Sequence, residues 1–252
     1  MLELKTSYSL SQVPYITYDA LEEYAENLVH DFSPKSLHTP GTVDIDRFIE
    51  YYLGLSIDFR HIHYDRTILG MTAFSDGVID VLNIDTNQPE TMVLKKGTVI
   101  IDTSLSLKRN IKRRRFTIAH ESSHWLLHRK ALAPENPYGN IGAFQNQYLA
   151  AKTGKIDYSR SDKERNDIER MERQADFLAS AILMPRPALR KSYKMFFSSI
   201  NEKRRILVKD CKNPKEKEYA NQLALYVSDV YNVSKRAASI RLEKLGAIVG
   251  CN

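Results

Sequence analysis

Cysteine is scarce in these 252 residues. The only two, Cys211 and Cys251, stand far apart without metal-ligand spacing. A disulfide framework is therefore not expected, and a reducing cytoplasm is the default compartment. Long hydrophobic runs are also missing. No stretch approaches the roughly 18 apolar residues that mark a membrane span, so no membrane partner is expected. The opening Met-Leu-Glu-Leu-Lys-Thr-Ser-Tyr is too polar for a signal peptide. Charge is not strongly one-signed either. A net charge of +6 permits an acidic or nucleic-acid partner without demanding one. At 42% hydrophobic and 27% charged, the composition excludes global disorder. The length suits one large domain, or one domain with a small appendage, and is enough to bury a core.

What is present centres on Arg113-Arg-Arg-Phe-Thr-Ile-Ala-His-Glu-Ser-Ser-His-Trp-Leu-Leu-His128. Inside it, His120-Glu121-Ser122-Ser123-His124 is an H-E-x-x-H motif. About 3.6 residues per helical turn puts His120 and His124 on one face, where both imidazoles can meet one zinc ion. Glu121 is rotated about 100° from His120, toward a water held by that ion. This is the spacing of metal-assisted peptide hydrolysis with a glutamate as general base. The competing reading is a surface helix that happens to carry these residues. On a helical wheel, however, Phe116 and Leu127 flank the histidines, Ile118 and Trp125 lie opposite, and Ala119 and Leu126 fill a third side. A helix apolar nearly all round is a buried one, and a metal would satisfy buried imidazoles.

Upstream, residues 1–15 read as an arm. Leu21, Tyr24, Ala25 and Leu28 have helical spacing over 18–31, ended by Ser33-Pro34. A second helix is expected over 43–53, stopped by Gly54. Then the period changes. Leu55-Ser-Ile-Asp-Phe-Arg-His-Ile alternates as a strand does. Ile68–Phe74 and Val78–Ile84 flank Ser75-Asp76-Gly77, a hairpin signal, and residues 97–102 form a further strand. The pattern predicts an α+β fold, with a small, mostly antiparallel sheet of about three to five strands beside helices. A peptide pairing with an exposed edge near 97–102 would lie over the metal motif. Six of the eight residues 108–115 are basic. They form either a solvated face or an anion contact. Residues 132–160, rich in Pro, Asn, Gly and Tyr, read as a long loop.

Ser161-Asp-Lys-Glu164 is a capping box opening a helix that stops at Pro185. Its inward stripe contains Ile168, Ala175, Ala179 and Leu183, and Glu172 and Asp176 fall within it. Two carboxylates on an apolar face are costly unless a cation or strong donors meet them. Glu172 as third zinc ligand solves this, and Asp176 can accept the free N–H of a zinc-bound histidine. Glu169 is the competing ligand, with a more polar neighbourhood. His128 lies about 12 Å from His120 along the axis, too far to share its ion. Near the C-terminus, residues 216–231 are amphipathic. Asn232-Val233-Ser234 turns the chain, and Lys235–Leu245 is a helix capped by Ser234 and closed by Gly246. The pair resembles a helix-turn-helix unit, from which Lys235, Arg236, Arg241 and Lys244 could reach DNA. The open alternative is a packing or protein-binding surface.

Arg115-Phe-Thr-Ile-Ala-His-Glu-Ser-Ser-His-Trp-Leu-Leu-His, with Glu172-Arg-Gln-Ala-Asp-Phe-Leu-Ala-Ser-Ala-Ile-Leu-Met-Pro185, resembles the ImmA/IrrE family of zinc metallopeptidases over roughly residues 40–190. The resemblance implies metal ligands at His120, His124 and Glu172 and a catalytic base at Glu121. It also implies a cytoplasmic endopeptidase whose protein substrate is a helix-turn-helix repressor. Ser122-Ser123 departs from the Leu-Gly pair of many relatives, at positions that supply no ligand. The expected organisation is an N-terminal arm and helix (1–40), a zinc metallopeptidase domain (41–190) and a helical, helix-turn-helix-like segment (191–252). The alternative function is a non-catalytic anti-repressor or DNA binder with a structural zinc.

Overall fold

The computed structural model describes residues 6–62, 68–132, 162–201, 206–208 and 214–250, and within 162–165 the backbone alone. The expected loop after residue 132, the capping-box Ser161 and both cysteines lie outside the described residues. The architecture is α+β, in two compact units. One comprises Glu3–Leu21 and Ile45–Ala179, the other Glu22–Asp44 and Ser180–Asn252. Among the described residues no helix is long and apolar enough to cross a membrane.

The first unit opens with β1 (Ser7–Tyr8) antiparallel to β2 (Pro14–Tyr15). This arm is anchored. Ser9 Oγ donates to the buried Asp167 carboxylate at 3.0 Å, and Val13 is buried among Phe74, Ala131, Leu132, Ile168 and Met171. α1 (Tyr18–Phe32), whose residues from Glu22 on belong with the chain through Asp44 to the second unit, buries Leu21, Tyr24, Ala25 and Leu28, the apolar positions of its helical period. Pro34, which cannot continue that helix, opens the short α2 (Pro34–His38). The helix expected over 43–53 is α3 (Ile45–Arg47) followed by one π turn over Phe48–Tyr52, with Leu53 N bonding Phe48 O at 3.0 Å. Gly54 ends it at φ +67°, a conformation open to glycine.

Five strands follow: β3 (Ser56–Arg60), β4 (Gly70–Thr72), β5 (Gly77–Asn83), β6 (Gln88–Leu94) and β7 (Thr98–Asp102). The sheet order is β3-β7-β4, with β7 parallel to β3 and antiparallel to β4, and β5 pairs only with β6. The hairpin expected across Asp76-Gly77 does not form. Asp76 instead accepts from the Lys96 amide at 2.8 Å and meets Lys95 Nζ at 3.1 Å, so it fastens the turn before β7. The hairpin turn lies at residues 84–87, where Asn83 Oδ1 accepts from the Asp85 and Thr86 amides at 3.0 and 3.2 Å. The exposed edge expected near residues 97–102 is also absent. β7 is the sheet's centre and all five of its residues are buried.

Against β4 and β7 packs α4 (Ile111–Leu132), which carries the H-E-x-x-H motif. Its Trp125 stacks on Phe74 with ring centroids 5.9 Å apart. Ser122 and Ser123 are fully buried, and both hydroxyls donate back to the Ala119 carbonyl, at 2.9 and 2.7 Å. This backbone bonding satisfies two hydroxyls that burial cuts off from water. α5 (Asp162–Leu183) supplies Ile168 and Met171 to the core that also holds Ala131 and Leu132 of α4. Each such fully buried aliphatic side chain contributes about 1.5–3 kcal/mol.

In the second unit, α6 (Arg186–Ser199) starts after Pro185. A two-residue parallel ladder joins β8 (Leu207–Val208) to β9 (Ile248–Val249). Between them stand α7 (Pro214–Tyr231) and α8 (Lys235–Lys244). The turn joining these helices is as expected. Asn232 takes φ +51°, Ser234 Oγ accepts from the Ala237 amide at 3.1 Å, and Gly246 closes α8 at φ +70°. One expectation is overturned here. Arg241 does not face solvent: it is 1% exposed. Its guanidinium holds the Glu22 carboxylate through two bonds of 2.7 and 2.5 Å, and donates to the Met184 carbonyl at 3.2 Å. Arg241 therefore cannot reach a phosphate, and Lys235, Arg236 and Lys244 are the exposed cations of α8.

A bidentate ion pair removed from water is costly to break, because the surviving charge stays buried. Glu22→Ala or Arg241→Ala is expected to cost about 3–5 kcal/mol in urea unfolding. The double variant Glu22→Leu/Arg241→Leu should cost less than either single change. A double variant as damaging as the sum of the singles would show that the pair is not a unit.

Candidate metal centre

The one-turn spacing of His120 and His124 on α4 brings their rings to 4.7 Å between centroids, with the two Nε2 atoms 3.0 Å apart. The side chain of His120 is 12% exposed and that of His124 is fully buried. α5 delivers Glu172 to the same point. Its Oε2 lies 3.3 Å from His120 Nε2 and its Oε1 3.5 Å from His124 Nε2. One donor atom from each of the three residues falls within 4.8 Å of the others. Glu169, the competing carboxylate, is not brought there. It bonds Arg173 at 3.2 Å one turn along the exposed face of α5.

Asp176 also meets the cluster, but not from within an apolar stripe. The buried stripe of α5 runs through Ile168, Met171, Ala175, Leu178 and Ile182. Glu172 and Asp176 each follow a stripe residue by one position, a rotation of about 100°, which puts them on its flank. Glu172 is one-third exposed and Asp176 63% exposed, so the expected burial of Asp176 is corrected. Its Oδ1 still lies 2.9 Å from His120 Nδ1.

Glu121, about 100° around α4 from His120, packs against β4 and is 1% exposed. Thr72 Oγ1 donates toward both its backbone carbonyl, at 3.1 Å, and its Oε2, at 3.3 Å. Gly70 makes the space. A Cβ there would stand 2.6 Å from Thr117 Cγ2 and 3.0 Å from Glu121 Cγ. Thr72 and Gly70 were not singled out from the sequence. The signal was a glycine inside a strand pattern, which marks a close approach by something else.

A second unanticipated pair sits behind His124. His128 Nδ1 lies 2.9 Å from His124 Nδ1, and His128 Nε2 lies 2.9 Å from Gln174 Oε1. Gln174 Nε2 in turn donates to the Pro14 carbonyl at 2.8 Å. Burial pushes the His128 pKa down to about 4, although the Gln174 bond opposes it. Of the basic run, Arg115 is buried and Arg114 pairs with Asp46 at 3.4 Å, while Lys108, Arg109 and Arg113 are exposed.

The donor set fits a divalent cation. The Nδ1 atoms of both histidines face partners, Asp176 on one side and His128 on the other, so the two Nε2 lone pairs and a carboxylate converge. Such a cluster of acceptors is repulsive alone and is favourable around a cation of the N/O-ligated kind. Comparison with known proteins agrees in kind. The model of the IrrE N-terminal-like domain family (Peptidase_M78) matches residues 79–243, which takes in α4 and α5. No curated protein matches the sequence.

Removing Glu172 should remove the ion. Wild-type protein is expected to bind one zinc per chain by elemental analysis. Glu172→Ala should bind little, and Asp176→Ala should lose about 10–100-fold in affinity. Equal zinc content in wild type and Glu172→Ala would dismiss Glu172 as a ligand. Gly70→Ala forces a methyl into Thr117 and Glu121 and should destabilise by about 1–3 kcal/mol, read from the urea midpoint.

Proposed function

The chain belongs to the IrrE N-terminal-like peptidase family, and from that premise we propose that it is a cytoplasmic zinc-dependent endopeptidase. Its substrate is a regulatory protein of the helix-turn-helix repressor type. The observation that carries this reading is the convergence of His120, His124 and Glu172 beside a buried Glu121. His120 and His124 would hold the ion through Nε2 and Glu172 through its carboxylate, the three-protein-ligand set of catalytic zinc sites. The ion supplies Lewis acidity, polarising a carbonyl oxygen and acidifying water. Glu121 is the general base. Its carboxylate takes a proton from the attacking water and returns one to the leaving amine. Thr72 and the space at Gly70 fix where that carboxylate stands. Asp176 accepts the Nδ1 hydrogen of His120 and so keeps the Nε2 lone pair turned to the ion. The substrate class rests on the likeness to ImmA/IrrE proteins, several of which act on such repressors.

One observation favours a second reading, a regulator that acts by contact and keeps zinc for structure. The turn between α7 and α8 is capped as in a helix-turn-helix unit, and Lys235, Arg236 and Lys244 are exposed on its second helix. DNA binding through them would weaken steeply with salt.

The two readings separate on one substitution. Glu121→Gln is expected to keep its zinc and to lose about 10²–10⁴-fold in the rate of repressor cleavage. Cleavage at the wild-type rate would remove Glu121 as base. Repressor release that survives the substitution without cleavage would favour the contact mechanism.

A further inference from the structure

We propose that His128 and Gln174 are positioning residues that set the tautomer of His124 through a dry hydrogen-bond chain anchored on the Pro14 carbonyl. The proposal rests on the reading of His124 as a ligand through Nε2.

Each link follows from what its neighbour can do. A proline carbonyl only accepts. Gln174 Nε2 stands 2.8 Å from Pro14 O, so the amide's NH₂ end faces Pro14 and its oxygen faces His128. The flipped amide would set two oxygens against each other. His128 Nε2, 2.9 Å from that oxygen, must therefore carry a hydrogen. A neutral imidazole with its hydrogen on Nε2 has a bare Nδ1. That bare atom faces His124 Nδ1 at 2.9 Å, so the hydrogen between them belongs to His124. The other nitrogen of His124 is then left as a lone pair. It is this Nε2 that lies 3.0 Å from His120 Nε2 and 3.5 Å from Glu172 Oε1.

The two histidines of the centre are thus oriented by different means. His120 uses an exposed carboxylate, Asp176. His124 has no access to water and uses a neutral chain. A carboxylate in the place of His128 would be a charge buried beside the centre, which a histidine and an amide avoid. The anchor belongs to the N-terminal arm, more than a hundred residues away in sequence from every other member.

The first test is the tautomer itself. In the zinc-free full-length protein at pH 8, long-range ¹⁵N–¹H NMR is expected to show His124 protonated at Nδ1 and bare at Nε2. The reverse tautomer would overturn the proposal, whether or not the protein binds metal. The second test is zinc affinity by competition with a chromophoric chelator. His128→Phe and Gln174→Leu should each lose about 10–100-fold. His128→Asn, whose side-chain oxygen can accept from His124 Nδ1, should recover most of that loss. Wild-type zinc affinity in both His128→Phe and Gln174→Leu would overturn the relay. A wild-type protein that binds no zinc but shows the Nδ1–H tautomer would instead sink the metal reading and leave the chain standing.

Discussion

The burial of His124 and His128 on the inner side of α4 is the constraint on which the rest of the first unit depends. Neither ring reaches water, so each of their four nitrogens must be answered within the protein. α5 answers from two places, with Glu172 toward His124 Nε2 and Gln174 toward His128. Gln174 must then satisfy its own amide hydrogens, and the Pro14 carbonyl of the arm does so. A segment that reads as a loose extension becomes part of the support of the centre. The Ser9 bond to Asp167 and the burial of Val13 hold it there.

α4 also meets the sheet, and the demands there are steric. The helix approaches β4 closely because Gly70 has no side chain, so that Thr117 and Glu121 pack against its backbone. That close approach sets the Glu121 carboxylate against Thr72 rather than against bulk water. Glu121 and His120 thus sit on adjacent residues of one helix while meeting different neighbours, β4 for the first and α5 for the second. Strand β7 makes the sheet rigid enough for this, being hydrogen-bonded on both edges and buried along its length.

In the second unit, Arg241 shows why a basic residue on a helix-turn-helix surface is not always a nucleic-acid contact. Its long side chain is drawn inward by Glu22, and the Met184 carbonyl takes up further guanidinium hydrogens. Arginine suits this role because its planar fork matches a carboxylate bidentately and its charge is never lost. The pair joins residues far apart in sequence, so helix periodicity carries no trace of it.

What the sequence determined by itself was everything set by neighbours along the chain. Helical spacing placed His120 and His124 together, the paired motif blocks pointed to Glu172 over Glu169, and Ser234 and Gly246 marked where α8 begins and ends. These follow from the helical period and from capping, which act within a few residues. Tertiary structure alone decided the rest. It chose β7 as the partner of β4 and β6 as the partner of β5, although Asp76-Gly77 carries a hairpin signal, because strand pairing is settled between distant segments. It left Asp176 on the flank of its helix, since the width of a buried stripe depends on what packs against it. It enlisted Pro14, Gln174, His128 and Gly70 around the centre. Apart from Gly70, a glycine inside a strand pattern, none of these has a marked local signature, because their roles arise from the unsatisfied atoms of residues that only folding brings near.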